Sequence, residues 1–200
     1  AHHRTPIAAP LLAFAIIAAG AGTGAALSAN ATDNAPETAA LERVASDWTV
    51  QTGTLGIGVR QFGNAVQGSF ADWTAAITFD PDATGQAGAV TVTVSIGTLT
   101  LGSVTDQAMG KDFFDVASFP TATFTADILK QADGYVADGT LTLKGETAPL
   151  SLLFTLSLDG DTATMSGQTT LNRMTYDIGQ SMNDEANLGF DVVVDVTLTA

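Results

Sequence analysis

The feature of this sequence that most constrains its fold is a strict alternation of apolar and polar residues. Residues 90–96 read Val-Thr-Val-Thr-Val-Ser-Ile, and residues 190–198 repeat the pattern with one exception, Val193. Successive side chains of a β-strand point to opposite faces, so this period of two predicts strands with one buried face. No long stretch of the chain after Trp48 shows the period of a helix that could cover a sheet.

Eight such runs can be read along the chain, and turn residues separate them. The predicted strands are residues 49–60, 67–79, 90–96, 123–130, 135–144, 149–158, 162–171 and 190–198. The turns are rich in Asp and Gly, as in Asp159-Gly160-Asp161. We therefore predict an all-β fold of eight antiparallel strands, with one or two helical turns within residues 104–111. Strands in this number close into a barrel or stack as a sandwich, and periodicity does not choose between them.

The first 32 residues differ from the rest of the chain. No charged residue lies between Thr5 and Thr32, and the segment is rich in Ala and Gly. It fits a membrane-spanning helix of about 20 residues, and also a signal peptide cleaved after Ala31. Because the apolar run is long for a signal peptide, we expect it to be retained as an anchor. Arg4 before it favours a cytoplasmic N-terminus, with the rest of the chain in the periplasm.

These observations divide the chain into three parts. Residues 1–32 are a predicted hydrophobic signal or anchor helix, residues 33–47 a polar linker, and residues 48–200 the β domain. The formal net charge is −14, and every acidic residue lies at or after Asp33. A strongly acidic domain repels phosphate backbones, so nucleic-acid binding is not expected.

The residue types that carry most catalytic and metal chemistry are missing from the β domain. The chain has no cysteine, and its two histidines are His2 and His3. Thiolate chemistry, histidine base catalysis and histidine ligation are therefore excluded in residues 48–200. Asp112 and Asp115 could act as an acid–base pair, but such residues more often shape turns. We predict no enzymatic activity, no metal site and no covalent cofactor.

Aromatic residues give the better indication of function, because they supply large apolar surface for a core or a pocket. Arg173 is a second candidate, either as a partner for a polar headgroup or as part of a structural ion pair. The residues that we predict to contact a ligand are Phe62, Phe70, Phe79, Val92, Val94, Phe113, Phe114, Phe124, Leu141, Leu143, Phe154, Arg173 and Tyr176.

Several short motifs occur in an order that resembles the YceI-like family. The most specific is Asp112-Phe113-Phe114-Asp115, followed by Phe119-Pro120 and Ala122-Thr123-Phe124. The others are Trp48-Thr49-Val50, Val59-Arg60-Gln61-Phe62-Gly63, Val66 with Gly68 and Phe70, Phe79-Asp80-Pro81, Gly139 to Gly145 with Pro149, and Arg173 with Tyr176 and Gly179. Together they extend from Trp48 to the C-terminus.

The resemblance implies an eight-stranded, lipocalin-like barrel whose apolar lumen holds a polyisoprenoid chain, such as a quinone or a polyprenyl lipid, in the periplasm. It also implies an association, in some relatives, with membrane di-haem cytochrome b proteins. Two positions depart from the family pattern. Gln61 stands where the family has His, and the region after Ile96, where the family tends to have Arg, reads Gly97-Thr98 and Thr105-Asp106 without an Arg. Contact with a headgroup is therefore expected to differ here.

We thus expect a periplasmic, non-catalytic binding protein for an apolar isoprenoid ligand, anchored to the inner membrane by its N-terminal segment. The alternative is an accessory subunit of a membrane electron-transfer complex, with a barrel that is empty or filled by its own side chains.

Overall fold

A computed structural model describes residues 46–200 of the chain. The predicted anchor helix and residues 33–45 of the predicted linker lie outside the described residues. Ser46 and Asp47, the last two residues of the predicted linker, lie in the first strand. Within residues 46–200, no helix is both long enough and apolar enough to cross a bilayer.

The described part is a single antiparallel sheet, as the alternating pattern predicts. Its strands are β1 (Ser46–Trp48), β2 (Thr52–Gln61), β3 (Asn64–Phe70), β4 (Trp73–Phe79), β5 (Gln86–Ser95), β6 (Leu99–Thr100), β7 (Thr121–Gln131), β8 (Gly134–Leu143), β9 (Glu146–Asp159), β10 (Thr162–Asn172) and β11 (Asp191–Thr199). One short helix, α1 (Thr105–Met109), lies in the predicted region. Three 3₁₀ segments cover Ile96–Thr98, Gly102–Val104 and Arg173–Tyr176.

The predicted number of eight strands is wrong, because residues 46–200 form eleven. The run predicted at residues 67–79 is interrupted at Ala71 and Asp72, which divide it into β3 and β4. The short strands β1 and β6 were not predicted. Each of the eight predicted runs nevertheless overlaps a strand, so the error concerns interruptions and short edges rather than the class of fold.

The interruption at Ala71 and Asp72 is also what curls the sheet. The strand order is β1-β4-β5-β7-β8-β9-β10-β11-β2-β3-β6. β3 pairs with β2 near one end of this order, and β4 pairs with β5 near the other. Because only two residues separate β3 from β4, the two ends of the order are joined directly by the chain. The sheet therefore bends round an interior space, which we call the lumen.

Trp73 occupies the place where β2 is not paired with β3. Pairing of β2 with β3 begins at Leu55, so Thr52 to Thr54 extend beyond the end of β3. The indole of Trp73 packs there against Gly53. A Cβ added at Gly53 would lie 2.7 Å from the Trp73 ring, so only glycine allows this approach.

The two ends of the curled sheet are connected differently. Since neighbouring strands are antiparallel, successive connections alternate between the ends. At one end, the loop end, lie residues 62–63, 96–120, 144–145 and 173–190, including two long connections. At the other, the turn end, lie residues 80–85, 132–133 and 160–161, together with β1 paired against Phe79.

Candidate functional site

The lumen contains an apolar cavity of about 260 Å³. It extends from Trp48, Ala163 and Ala200 near the turn end to Gln61 and Met182 at the loop end. Almost no polar surface faces it. The volume lies slightly below the roughly 300–1,000 Å³ of pockets that hold drug-sized ligands, and the elongated shape suits a narrow chain.

The alternation found in the sequence places these lining residues. In β4, Trp73, Ala75 and Ile77 line the cavity, whereas Ala76 between them is exposed. In β11 every second residue from Val192 to Leu198 lines it. Each long strand thus contributes apolar side chains at a spacing of two, so the wall is apolar inside and polar outside.

Most of the residues that we predict to contact a ligand do border this cavity. These are Phe70, Phe79, Val92, Val94, Phe113, Phe114, Phe124, Leu141, Leu143, Phe154 and Arg173. Phe62 and Tyr176 do not. Phe62 is 64% exposed in the turn between β2 and β3, and Tyr176 is 2% exposed in the core of the loop end. Contact with a ligand stays a prediction for all of them.

Several lining residues were not predicted, and most could have been found from the alternation itself. Trp73, Leu150, Leu152 and Met165 lie in predicted strands, and their positions share a face with predicted lining residues or with one another. Trp48 belongs to the unpredicted β1, where no alternation marks it.

Arg173 is the one charged residue in the buried core of the described chain, with 2% of its surface exposed. Its Nε, Nη1 and Nη2 atoms donate hydrogen bonds of 2.5–2.9 Å to five backbone carbonyls. The acceptors are the carbonyl oxygens of Ile178, Gly179, Met182, Leu188 and Gly189. A guanidinium has five N–H donors, so these carbonyls leave none free for a ligand headgroup.

Of the two expected roles of Arg173, contact with a headgroup stays a prediction, and the structural ion pair does not match this arrangement. The partners are carbonyls rather than a carboxylate, so the ion-pair alternative is wrong. Burial lowers the pKa of the Arg173 guanidinium from its usual value through desolvation, but such a group stays protonated in proteins. The ring of Phe190 lies 5.3 Å from the guanidinium carbon and adds a cation–π contact. Arg173 therefore holds residues 178–189 in place over the loop end.

The carboxylates singled out in the sequence lie outside the lumen. Asp112 is exposed, and its backbone carbonyl accepts a hydrogen bond of 2.7 Å from the Gly179 amide. Asp115 has a φ of 48° and accepts backbone hydrogen bonds from Ser118 and Phe119, as expected of a turn residue. Across residues 46–200, no group of three His, Cys, Asp or Glu side chains could hold a metal ion.

Gln61, which stands where the YceI-like pattern has His, lies at the loop end of the lumen together with Gln107. Burial raises the pKa of Tyr176, which lies in the core of the loop end. Such a lumen can remove a hydrocarbon chain from water, at about 25 cal/mol per Å² of buried apolar surface. The polar residues that border it are Gln61, Gln107, Thr169 and Arg173.

Comparison with known proteins agrees with this geometry. The family model described as "YceI-like domain" matches residues 48–200. A UPF0312 protein of Yersinia pestis (strain Pestoides F) is 38% identical over 97 residues, which cover 47% of this chain and 50% of the relative. The chain thus spans about half the length of the curated relatives that it matches.

Two solved structures illustrate the likeness in fold. Burkholderia cenocepacia BcnA is 28% identical, with a TM-score of 0.69 over 74% of this chain and 96% of BcnA. A polyisoprenoid binding domain from Saccharophagus degradans is 15% identical, with a TM-score of 0.55 over 78% of this chain and 97% of that domain. At 15% identity the second likeness concerns the fold alone.

Proposed function

The chain belongs to the YceI-like family, and we propose that it binds the hydrocarbon part of a polyisoprenoid lipid in its lumen. The observation that carries this proposal is the cavity, which is elongated, about 260 Å³ in volume and bordered by apolar side chains from every long strand. A protein domain does not need such a space for its stability, because interiors are normally packed to high density. The description of the Saccharophagus degradans domain as polyisoprenoid binding is consistent with it.

The absence of polar surface defines which part of the ligand is recognised. A buried polar group without a hydrogen-bond partner costs free energy, so a quinone ring or a phosphate would be unfavourable inside this lumen. The Arg173 donors are already used by carbonyls. We therefore propose that the prenyl chain lies inside and that any headgroup remains at or beyond the rim.

We propose further that the protein is a carrier rather than a catalyst, and that it works in the periplasm beside the inner membrane. The location rests on residues 1–32, whose sequence favours export and anchoring. A quinone or a polyprenyl lipid fits the proposal equally well, since both contain the same kind of chain.

Two adjacent alanines of β4 provide a matched test. Ala75 lines the cavity beside Val92, and Ala76 faces outward beside Thr91. We expect Ala75→Phe to fill part of the lumen and to weaken binding of geranylgeraniol about tenfold or more. Ala76→Phe should leave the affinity unchanged. Binding is measured on the full chain by native mass spectrometry and titration in detergent.

Ala75→Leu serves as a smaller obstruction if Ala75→Phe does not fold. Two ligands with the same prenyl chain and different headgroups test whether the headgroup contributes to binding. The affinities for geranylgeraniol and for a quinone with the same chain should agree within about threefold. Equal binding by the Ala75 and Ala76 variants would contradict occupancy of the lumen. Strong preference for one headgroup would contradict recognition through the chain.

A further inference from the structure

The turn between β2 and β3 carries a large exposed aromatic residue in an unfavourable backbone conformation. Phe62 is 64% exposed, and its φ is +49°, followed by Gly63 with a φ of +78°. Two-residue hairpin turns with two positive φ values favour Asn-Gly, Asp-Gly or Gly-Gly, because a bulky side chain is strained there. Neither folding nor solubility explains a phenylalanine at this position.

The turn is held in place by the connection that Arg173 orders. The Phe62 amide donates a hydrogen bond of 3.0 Å to the Asn187 carbonyl, and the Gly189 amide donates one of 2.8 Å to the Arg60 carbonyl. Leu188 and Gly189 in turn accept hydrogen bonds from the buried Arg173 guanidinium. The exposed ring therefore projects from a fixed rim rather than from a free loop.

The lumen ends directly beneath this turn. Gln61, the residue before Phe62, borders the cavity, and so do Met182 and Leu188 of the neighbouring connection. Of the three large exposed apolar side chains in residues 46–200, Phe62 alone lies at the loop end. Leu153 lies on the outer face of β9, and Leu158 lies at the turn end.

We propose that Phe62 is a membrane-contacting residue and that the loop end docks on a lipid bilayer while the lumen exchanges its chain. Aromatic side chains favour the membrane–water interface, and Arg60 beside the turn can pair with lipid phosphates. Asp184 and Glu185, in the connection that holds the turn, disfavour anionic surfaces. The partner is therefore a bilayer rich in zwitterionic lipid. This inference rests on the proposed lumen function and adds the surface through which the ligand enters.

The chain contains no cysteine, so a single cysteine can be placed and labelled without background. The variants Phe62→Cys, Leu153→Cys and Leu158→Cys, each made in the full chain and spin-labelled, are reconstituted in phosphatidylcholine vesicles. The label at residue 62 should be more accessible to oxygen than to a water-soluble nickel reagent. The labels at residues 153 and 158 should show the reverse. A label at residue 62 that stays in water, or one at residue 158 that enters the lipid, would overturn the proposal.

A second variant measures the consequence. Phe62→Asn introduces a residue that tolerates a positive φ, so it should raise the melting temperature by about 2–4 °C. It should also slow transfer of geranylgeraniol between vesicles about tenfold, because burial of the ring in lipid is lost. Slower transfer by a more stable protein cannot arise from unfolding, and an unchanged transfer rate would contradict the role of Phe62.

The outcomes also separate this inference from the proposed function. A lumen that loads in detergent while the label at residue 62 stays in water would refute docking and leave the binding function intact. A label in the lipid with a lumen that never loads would refute the binding function and leave the docking surface intact.

Discussion

The loop end and the turn end of the curled sheet close the same apolar lumen by opposite physical means. At the loop end one buried cation, Arg173, donates five hydrogen bonds to carbonyls of a single connection. At the turn end the rings of Trp48, Phe79, Tyr135 and Phe154 pack in sequence, with centroids 5.3–6.3 Å apart. The first is directional and the second is based on apolar contact.

The difference teaches where rigidity is built into the molecule. The hydrogen bonds of a buried charged donor depend on geometry, so residues 178–189 are fixed and the Phe62 turn with them. Ring contacts are individually weak and tolerate displacement, since each pair contributes about 0.5–1.5 kcal/mol. A fixed rim suits docking on a flat surface, whereas an aromatic closure only needs to exclude water.

The largest effect is expected when the cation is removed. Arg173→Met keeps an unbranched apolar stem but leaves five carbonyls without their donor, and an unpaired buried acceptor costs about 1–3 kcal/mol. Allowing for relaxation, we expect the free energy of unfolding to fall by about 4 kcal/mol or more, measured by urea denaturation. The matched control is Arg60→Met at the same end, where the arginine is exposed and the change should stay within about 0.5 kcal/mol. A loss below about 1.5 kcal/mol for Arg173→Met would mean that the loop end is not held by its cation.

A smaller effect is expected at the turn end. Phe79→Leu removes a ring that makes edge contacts with Trp48 and Tyr135, while the hydrogen bond from Trp48 Nε1 to the Phe79 carbonyl can persist. We expect a loss of about 1–2 kcal/mol in the same denaturation measurement. Phe124→Leu is the control, because Phe124 lines the lumen without a ring partner among residues 46–200. If both variants lose the same stability, ring pairing contributes nothing and the turn end is closed by volume alone.

The strands and their inward faces can be predicted from the local alternation of residues, whereas the curvature of the sheet cannot. Alternation in residues 190–198 identified Val192, Val194 and Val196 as one face, and that face lines the lumen. The break at Ala71 and Asp72 was not predicted, although Phe70 and Trp73, which both border the lumen, are three residues apart and therefore out of phase with strict alternation. A break of this kind depends on which strand each half pairs with, and that is a long-range property.

The site was predictable where it lies on strands and not where it lies on connections. Phe62 was expected to face the lumen, but Val59 and Gln61 occupy the inward positions of β2, so the chain turns before Phe62 can do so. The hydrogen-bond partners of Arg173 are backbone carbonyls from 5 to 16 residues away, and backbone atoms leave no mark in a sequence.

The smallest expected effect is a pH dependence of stability, which tests the comparison between the loop end and the turn end. Burial raises the pKa of Tyr176 above its usual value of 10.0, so the unfolded chain loses this proton first as the pH rises. The contribution of Tyr176 is therefore fully present below pH 10 and is lost as the pH rises through the folded-state pKa. The slope is at most about 1.4 kcal/mol per pH unit. Tyr176→Phe should remove this slope from alkaline denaturation curves, and Tyr135→Phe at the turn end should leave it, because Tyr176 remains. If the parent chain and Tyr176→Phe lose stability in parallel above pH 10, the core of the loop end is wetter than its burial implies. The contrast between a rigid, water-excluding loop end and a more tolerant turn end would then not hold for the loop end.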